Sequence, residues 1–358
     1  MRAWVRYSTD ETMTILMVIG SSNVGGAEKQ FVRLAEELRP QTSLAILVIG
    51  KSGPYRKIYR ELGLRCIESS GSLFSDVLTT LVAIWRFRPT TLLLWLYRAN
   101  VIGSITGKIL RVPNIVITAR NTDWPHNTFP KRLLLKLSSM LASSIVANSN
   151  RAADFHKSIG FPSNKIRVIR NFISLSSEVG TRSMREISVF GIAARAVEGK
   201  GHFLAINALN EVSRSFPGIK LTMIGQGVSS WDELLKASKS SNFGVDLIEA
   251  RLDIDNWFAN LDVCLALSEL WDSDSNFVLE AVSRSIPVIC SSNQSIEDIQ
   301  HLQKIVEPLS VEGVTKEIKR LMSTSFTELE LELANLRETL LRSRSKTQIS
   351  KNWLEIIL

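Results

Sequence analysis

The feature that most constrains the fold is a pattern used twice. Each time a short apolar run enters a loop of glycine and small polar residues and then a helix with one apolar face. Residues 15–19 are all apolar, and Gly20-Ser21-Ser22-Asn23-Val24-Gly25-Gly26 follows. The segment over 27–39 then places Phe31, Leu34, Ala35 and Leu38 at i, i+3, i+4 and i+7, the spacing of a helix buried on one side. The second copy starts at 188–192, passes through a loop holding Arg195, Gly199, Lys200 and Gly201, and continues as a helix over 202–216 with Leu204, Ala208, Leu209 and Val212 on one face. More strand-like runs stand at 44–49, 91–96, 115–118 and 144–147, and again at 221–224, 245–248, 263–267 and 288–290. Helical stretches separate most of them. Strands alternating with helices imply parallel sheets with helices on both faces, so the fold class is α/β with two doubly wound units.

Between 171 and 188 the texture turns polar, Ser-rich and aperiodic, as an interdomain linker does. The expected domains are 1–175 and 176–339, and the tail over 325–358 reads as helices. A chain of 358 residues suits two domains. No run of about 18 uncharged apolar residues is present, so no transmembrane helix is expected. Residues 1–13 have no apolar core and do not read as a signal peptide. Cys66, Cys264 and Cys290 form neither a metal spacing nor a disulfide framework, which points to a reducing cytoplasm.

Charge is divided unevenly. Residues 1–175 hold 24 Lys and Arg against 10 Asp and Glu, a net +14, whereas the remainder holds 19 against 25, a net −6. The first half therefore faces an anionic partner or carries a solvated basic surface. Nucleic acid, an anionic bilayer and a phosphorylated acceptor all fit the sign, but no groove-reading or stacking module supports nucleic acid. Two basic segments are candidates for lipid contact. The one over 55–60, with Tyr55, Arg56, Lys57, Tyr59 and Arg60, is the better. The one over 129–141 reads more simply as a core-facing helix with a charged outer side.

The loops carry the chemistry. Arg195 and Lys200 offer two cations five residues apart, suited to a diphosphate; the plain alternative is two surface cations. Gly25 and Gly26 let a backbone approach a ligand at a helix N-terminus, or form only a tight turn. Glu280 follows the good N-cap residues Ser275 and Asn276, and is expected in the first helical turn. There it can accept from both hydroxyls of a ribose, or favour the helix dipole. Asp272-Ser273-Asp274 has the form of a metal-binding acid pair, but no histidine supports it and no metal is expected. The segment from Trp95 to Asn100, with Tyr97 and Arg98, and the pair Arg120-Asn121 both end strands, where ligands bind in doubly wound sheets. His126, His156, His202 and His301 form no ligand spacing.

Taken together, these residues resemble the family 4 retaining glycosyltransferases of GT-B fold, in particular bacterial enzymes of O-antigen, capsule and other lipid-linked glycan synthesis. The resemblance spans residue 15 to about 298. It rests on Gly25-Gly26-Ala27-Glu28, the 95–100 segment, Val146-Ala147-Asn148-Ser149, the 165–171 segment, Arg195 with Lys200-Gly201, Gly225-Gln226-Gly227, and the 275–281 segment followed by Pro287-Val288. It implies two Rossmann-like domains facing a cleft, with a C-terminal helix over 340–358 crossing back to the first. It further implies that Arg195 and Lys200 bind the donor diphosphate and that Glu280 holds the ribose. Backbone near Arg251 would meet the base. Gly225, Ser275, Asn276 and Leu279 would complete the donor site, with Gly25 and Gly26 at its phosphate end. Asp272 stands where the family has the first of two glutamates, so Arg195, Lys200, Asp272 and Glu280 form the implied catalytic group. Tyr97, Arg98, Arg120 and Asn121 would line the acceptor side.

The implied reaction is metal-independent, cofactor-free hexosyl transfer with retention, from a nucleoside-diphosphate sugar, with uridine the expected base. The implied acceptor is lipid-linked or a glycan, handled at the inner face of the cytoplasmic membrane through the basic first half. The sequence departs from the family pattern at Asp272, at Ser273 in place of a glycine, near Ser285, at Gln294-Ser295, and in lacking a histidine where Arg98 or Arg120 stands. Those departures leave a second reading: a GT-B scaffold of weak or absent catalysis that binds nucleotide or a partner transferase.

Overall fold

The computed structural model describes residues 14–51, 53–120, 128–173, 187–270, 272 and 274–358. The first sheet holds β1 (Thr14–Ile19), β2 (Ser43–Val48), β3 (Arg65–Glu68), β4 (Thr91–Trp95), β5 (Asn114–Ala119), β6 (Ser144–Ala147) and β7 (Ile166–Val168). Its order is β3-β2-β1-β4-β5-β6-β7, and every pairing is parallel. Six helices connect the strands: α1 (Gly26–Leu38), α2 (Tyr55–Glu61), α3 (Leu73–Phe87), α4 (Tyr97–Ile109), α5 (Phe129–Leu141) and α6 (Asn150–Ser158). Parallel crossovers are right-handed, so strand order reversing at β1 sends α1 and α2 to one face and α3 to α6 to the other. The two cores agree: Phe31, Leu34 and Tyr59 share one cluster, and Ile84, Ile102, Leu135 and Ala152 share the opposite one.

The second sheet repeats the plan with β8 (Val189–Ala193), β9 (Lys220–Gly225), β10 (Gly244–Glu249), β11 (Val263–Ala266), β12 (Val288–Ser291) and β13 (Lys304–Val306). Its order is β10-β9-β8-β11-β12-β13, again all parallel. Helices α7 (His202–Ser213), α8 (Asp232–Lys239), α9 (Asp255–Ala259), α10 (Asn276–Ser283) and α11 (Val311–Ser323) cover it, and α12 (Phe326–Ser343) and α13 (Lys346–Ile357) end the chain. In each sheet the order reverses beside the first strand. That opens a crevice between the carboxyl ends of β1 and β4, and another between those of β8 and β11.

Strands β3, β7 and β13 are absent from the sequence reading. Each has three or four residues, lies at a sheet edge and includes a Lys or Arg, so neither run length nor alternation announces it. The crossing helix is also shorter than expected. Leu336 and Leu340 of α12 remain in the second core, so the crossing starts at Lys346 rather than at 340. Helix α13 then docks on the first domain. Trp353 stacks on Trp95 with centroids 5.8 Å apart, and Thr91 Oγ1 and Asn114 Nδ2 donate to the carbonyls of Ile357 and Ile356 at 2.8 and 2.9 Å.

Helix α2 corrects the first lipid-contact candidate. Tyr55 and Tyr59 point inward and are buried, Tyr59 against Phe31 at 5.5 Å. Arg56 and Arg60 both pair with Glu68, at 3.0 and 2.6 Å. Spacing i, i+4 placed both tyrosines on one face, and that face is core.

Charged side chains join the two domains. The guanidinium of Arg344, whose side chain is fully buried, donates to both oxygens of Asp274 at 2.7 Å and to Asp298 at 2.8 Å. Asp274 also accepts from the backbone N–H of Asn171 at 3.1 Å, and the Asn171 amide donates to the Asp274 carbonyl at 3.0 Å. The expected linker therefore begins on a pinned, buried residue; residues 174–186 lie outside the described ones. Glu297 of the second domain accepts from the N–H groups of Asn150 and Arg151, in the first turn of α6, and from Arg170 at 2.7 Å.

Burial pushes the Glu297 carboxyl up, but the Arg151 N–H and the Arg170 guanidinium outweigh it and hold the carboxyl below the ordinary value of 4.5. A depressed folded-state value means stability that is present above the unfolded-state value and lost as pH falls through the folded one. Urea unfolding of Glu297→Gln should therefore show a deficit near neutrality that disappears as pH falls below 4.5. A deficit independent of pH would exclude the ionised carboxylate as its source.

Candidate active site

Both crevices open into the space between the domains, and α1 and α10 meet there end to end. Gly25 caps α1 in an extended conformation, and Gly26 begins the helix. A Cβ at Gly26 would lie 2.4 Å from Asn276 Nδ2, and one at Gly25 would lie 2.6 Å from Glu28 Oε2. Glycine at position 26 is thus required for α1 to press on α10 from across the cleft, whereas at Gly25 the Glu28 side chain could swing aside. Trp95 Nε1 holds this loop by donating to the Ala27 carbonyl at 3.0 Å.

Ser275 caps α10, its hydroxyl accepting from the Val278 N–H. The helix therefore starts at Asn276, and Glu280 sits one turn in, not in the first turn. Helical side chains lean toward the N-terminus, which returns this carboxylate toward α1. Lys29 Nζ lies 2.6 Å from Glu280 Oε1, and Arg33 Nη2 lies 3.9 Å from the same oxygen. Glu280 Oε2 is buried and has no hydrogen-bond partner among the described residues. A carboxylate with one oxygen anchored and the other left without a partner has acceptor capacity to spare for a ligand hydroxyl. Gln30 completes the contact, donating to Asn276 Oδ1 at 2.8 Å and to the Phe172 carbonyl at 2.9 Å.

Arg195 and Lys200 occupy the loop after β8. Arg195 is exposed and Lys200 half-buried. The loop is shaped by the Ala196 N–H donating to the Gln226 carbonyl at 2.9 Å and the Ala194 N–H to the Ile224 carbonyl at 3.0 Å. Gly225 has a packing reason to be glycine: a Cβ there would stand 1.9 Å from the Ala194 carbonyl oxygen. Arg195 also acts across the cleft. Burial raises the Glu28 carboxyl above its ordinary range, and the Ser21 hydroxyl and the charge of Arg195 pull it back in part. Arg251 is exposed in the loop after β10.

Other expected site residues are placed differently. Leu279 is a core side chain, and its N–H is already used by the Ser275 carbonyl at 3.0 Å. Asp272 is half-buried, with its N–H on the Asn293 carbonyl at 3.2 Å. Asp274, the second acid of the pair, is committed to Arg344. Among the described residues no three His, Cys, Asp or Glu side chains are grouped to hold a metal ion. Ser285 adopts φ +54°, so a serine keeps the left-handed conformation that glycine takes at lower cost. His156 is packed between Phe155 and Phe161, its Nδ1 on the Ala152 carbonyl at 2.8 Å.

On the first-domain side, Tyr97 and Arg98 open α4 at the β4 crevice, after Leu96 with φ +73°. Arg98 is held by the buried Asp76 and donates to the Gly71 carbonyl at 3.1 Å. Asp76 also accepts from the Gly50 N–H at 3.2 Å and from Ser69. Arg98 therefore ties together the loops after β2 and β3. Arg120 stacks 3.6 Å over Trp95 and donates to Asn171 at 2.7 Å. Burial pushes its guanidinium down to about 9, with Asp274 opposing, so it stays protonated at neutral pH. Asn121 lies outside the described residues.

Glu28, Lys29, Gln30 and Arg33 are the cleft residues to which the sequence reading gave no role. A signal was present: Lys29 and Arg33 are spaced i, i+4 on the helix that follows the glycine loop, opposite the apolar face of Phe31 and Leu34.

Known proteins share this two-domain plan. Residues 24–177 match the sequence model of Glycosyltransferase Family 4, and residues 187–324 match that of Glycosyl transferases group 1. The chain belongs to these glycosyltransferases, one family domain on each side of the cleft. Among solved structures it is similar to HepE of Anabaena in complex with UDP and glucose, with a TM-score of 0.80 at 17% identity over 96% of this chain and 98% of that one. It is also similar to the apo form of the lipopolysaccharide outer core galactosyltransferase WaaB, with a TM-score of 0.70 at 16% identity over 96% and 99%. These likenesses establish the GT-B fold. In sequence the chain is 24% identical over 251 residues to Protein CapJ of Staphylococcus aureus, a match that spans 64% of this chain and 62% of CapJ.

Proposed function

We propose that the protein transfers a hexose, with retention and without a metal, from a UDP-sugar to a lipid-linked or oligosaccharide acceptor in the assembly of a cell-surface polysaccharide. The observation that carries this reading is the buried, unpaired oxygen of Glu280, one helical turn inside α10, across the switch-point crevice from the Arg195–Lys200 loop. A ribose on that oxygen would direct the diphosphate of the same nucleotide to the two cations. Charge grows on the diphosphate as the sugar bond breaks, so cations fixed beforehand stabilise the transition state more than the ground state. The acceptor hydroxyl attacks from the face the nucleotide leaves, and the departing diphosphate oxygens take its proton. Binding of UDP by HepE supports uridine as the base, and the likeness to WaaB, a lipopolysaccharide outer core galactosyltransferase, supports a surface glycan as product. The basic first half supports an acceptor carried on an anionic membrane, worked from the cytoplasmic side.

The test is incubation with a panel of UDP- and GDP-sugars in chelator, following released nucleotide and the anomeric configuration of the product. Turnover of one UDP-sugar with retention is expected. In Glu280→Gln, affinity for UDP should fall about 10–100-fold, the worth of a hydrogen bond to a charged group. Tight UDP binding without release, even with glycan and polyprenyl diphosphate acceptors supplied, would favour the non-catalytic scaffold, a reading supported by the altered loop at Asp272.

A further inference from the structure

On the face of the first sheet away from α1 and α13, the outward sides of α3 and α5 are apolar. Phe74, Leu78, Val82 and Trp85 form one stripe along α3, exposed at 79, 49, 48 and 67%. Phe129, Leu133 and Met140 form another along α5, exposed at 79, 58 and 59%. Helix α4 packs against both, so the stripes belong to one surface. The inner sides of these helices, at Ala83, Ile84 and Leu135, already fill the core. Burying the stripes therefore requires something outside the described fold. Apolar surface on this scale marks a docking site.

The charge around the stripes selects the occupant. Residues 73–141 contain nine Lys or Arg and two Asp. Asp76 is buried on Arg98, and Asp123 lies outside the described residues. Arg88, Lys108, Arg111, Arg132 and Lys136 are exposed. A second copy of this chain would bring like charges together. Phenylalanine and tryptophan on two amphipathic helices among cations suit the interface of an anionic bilayer. Position agrees as well. Phe74 and Phe129 lie in the first turns of α3 and α5, which begin at the carboxyl ends of β3 and β5, the sheet edge that faces the cleft.

We infer that α3 and α5 form the membrane-docking surface of this protein, seating Phe74, Trp85 and Phe129 below the headgroups of anionic lipid. This deepens, and rests on, the reading of a lipid-carried acceptor, and it moves the contact from the 55–60 segment to α3 and α5.

The test is flotation with phosphatidylcholine vesicles with and without phosphatidylglycerol, at low and high salt. Wild type should float with the anionic vesicles and be released largely by salt. Phe74→Ser with Trp85→Ser, and separately Phe129→Ser with Leu133→Ser, should each weaken binding about tenfold or more. Phe326→Ser, at an exposed aromatic outside this surface, should leave it unchanged. Binding by both double variants equal to that of wild type would overturn the inference. So would wild type that ignores anionic vesicles, or a dimer in light scattering that the double variants dissolve. UDP affinity, measured on the same variants without lipid, separates the two readings: it should be unchanged, and its absence in wild type would reject the transferase reading and not the docking surface.

Discussion

Alanine in place of Arg344 is expected to destabilise the protein by about 3–5 kcal/mol, the cost of breaking a buried ion pair and leaving its partner uncompensated. Arg344 holds both oxygens of Asp274 and one of Asp298, and Asp274 in turn holds the Asn171 backbone at the junction of the domains. Removing the guanidinium would strand a carboxylate at the centre of that junction. Urea unfolding followed by tryptophan fluorescence reads the effect. A companion variant, Arg344→Met with Asp274→Leu, should recover much of the loss, because replacing a buried pair by apolar side chains is often near neutral. A loss as large in the double variant would place the cost in the Asp298 carboxylate and the Asn171 N–H that it leaves without these partners.

Arg195→Ala is expected to lower kcat about 10²–10³-fold, the range for losing one preorganised donor to a charge that develops in the transition state. KM should change less, since the contact is worth most once the diphosphate is leaving. The guanidinium is exposed on a loop fixed by backbone bonds of Ala194 and Ala196, so stability should not change. Lys200→Ala should follow the same pattern with a smaller loss, a point charge giving less than a bidentate fork. Steady-state kinetics on UDP release decide between them. Unaltered kcat in Arg195→Ala would reduce the residue to a surface cation.

Much of this architecture could be read from the chain. Residues 15–19 and 189–193 carry no polar side chain because parallel strands are buried on both faces. Phe31, Leu34 and Leu38 declare helix α1 through their spacing. Gly25, Gly26, Arg195 and Glu280 could be assigned to the cleft because loops after strands in such sheets lie at one edge. The exceptions have a common physical cause. Strands β3, β7 and β13 are too short for a pattern to accumulate. Tyr59 and Arg56 look like surface groups until Phe31 and Glu68 are brought to them from other elements. Arg98 looks like a ligand-binding cation until Asp76, 22 residues earlier, arrives beneath it.

The sequence by itself determined the α/β class, the two-domain plan, the family and the identity of the cationic loop, all properties encoded in local periodicity and in motifs of consecutive residues. Tertiary structure alone decided which charges remain available to a ligand. Lys29 reaches Glu280 across 251 positions, and Arg344 reaches Asp274 across 70. Pairing depends on distance in space, falls off steeply with solvent, and leaves no trace in the spacing of residues along the chain. The outward stripes of α3 and α5 belong to the same category: a run of apolar residues does not reveal which of its sides the core has already claimed.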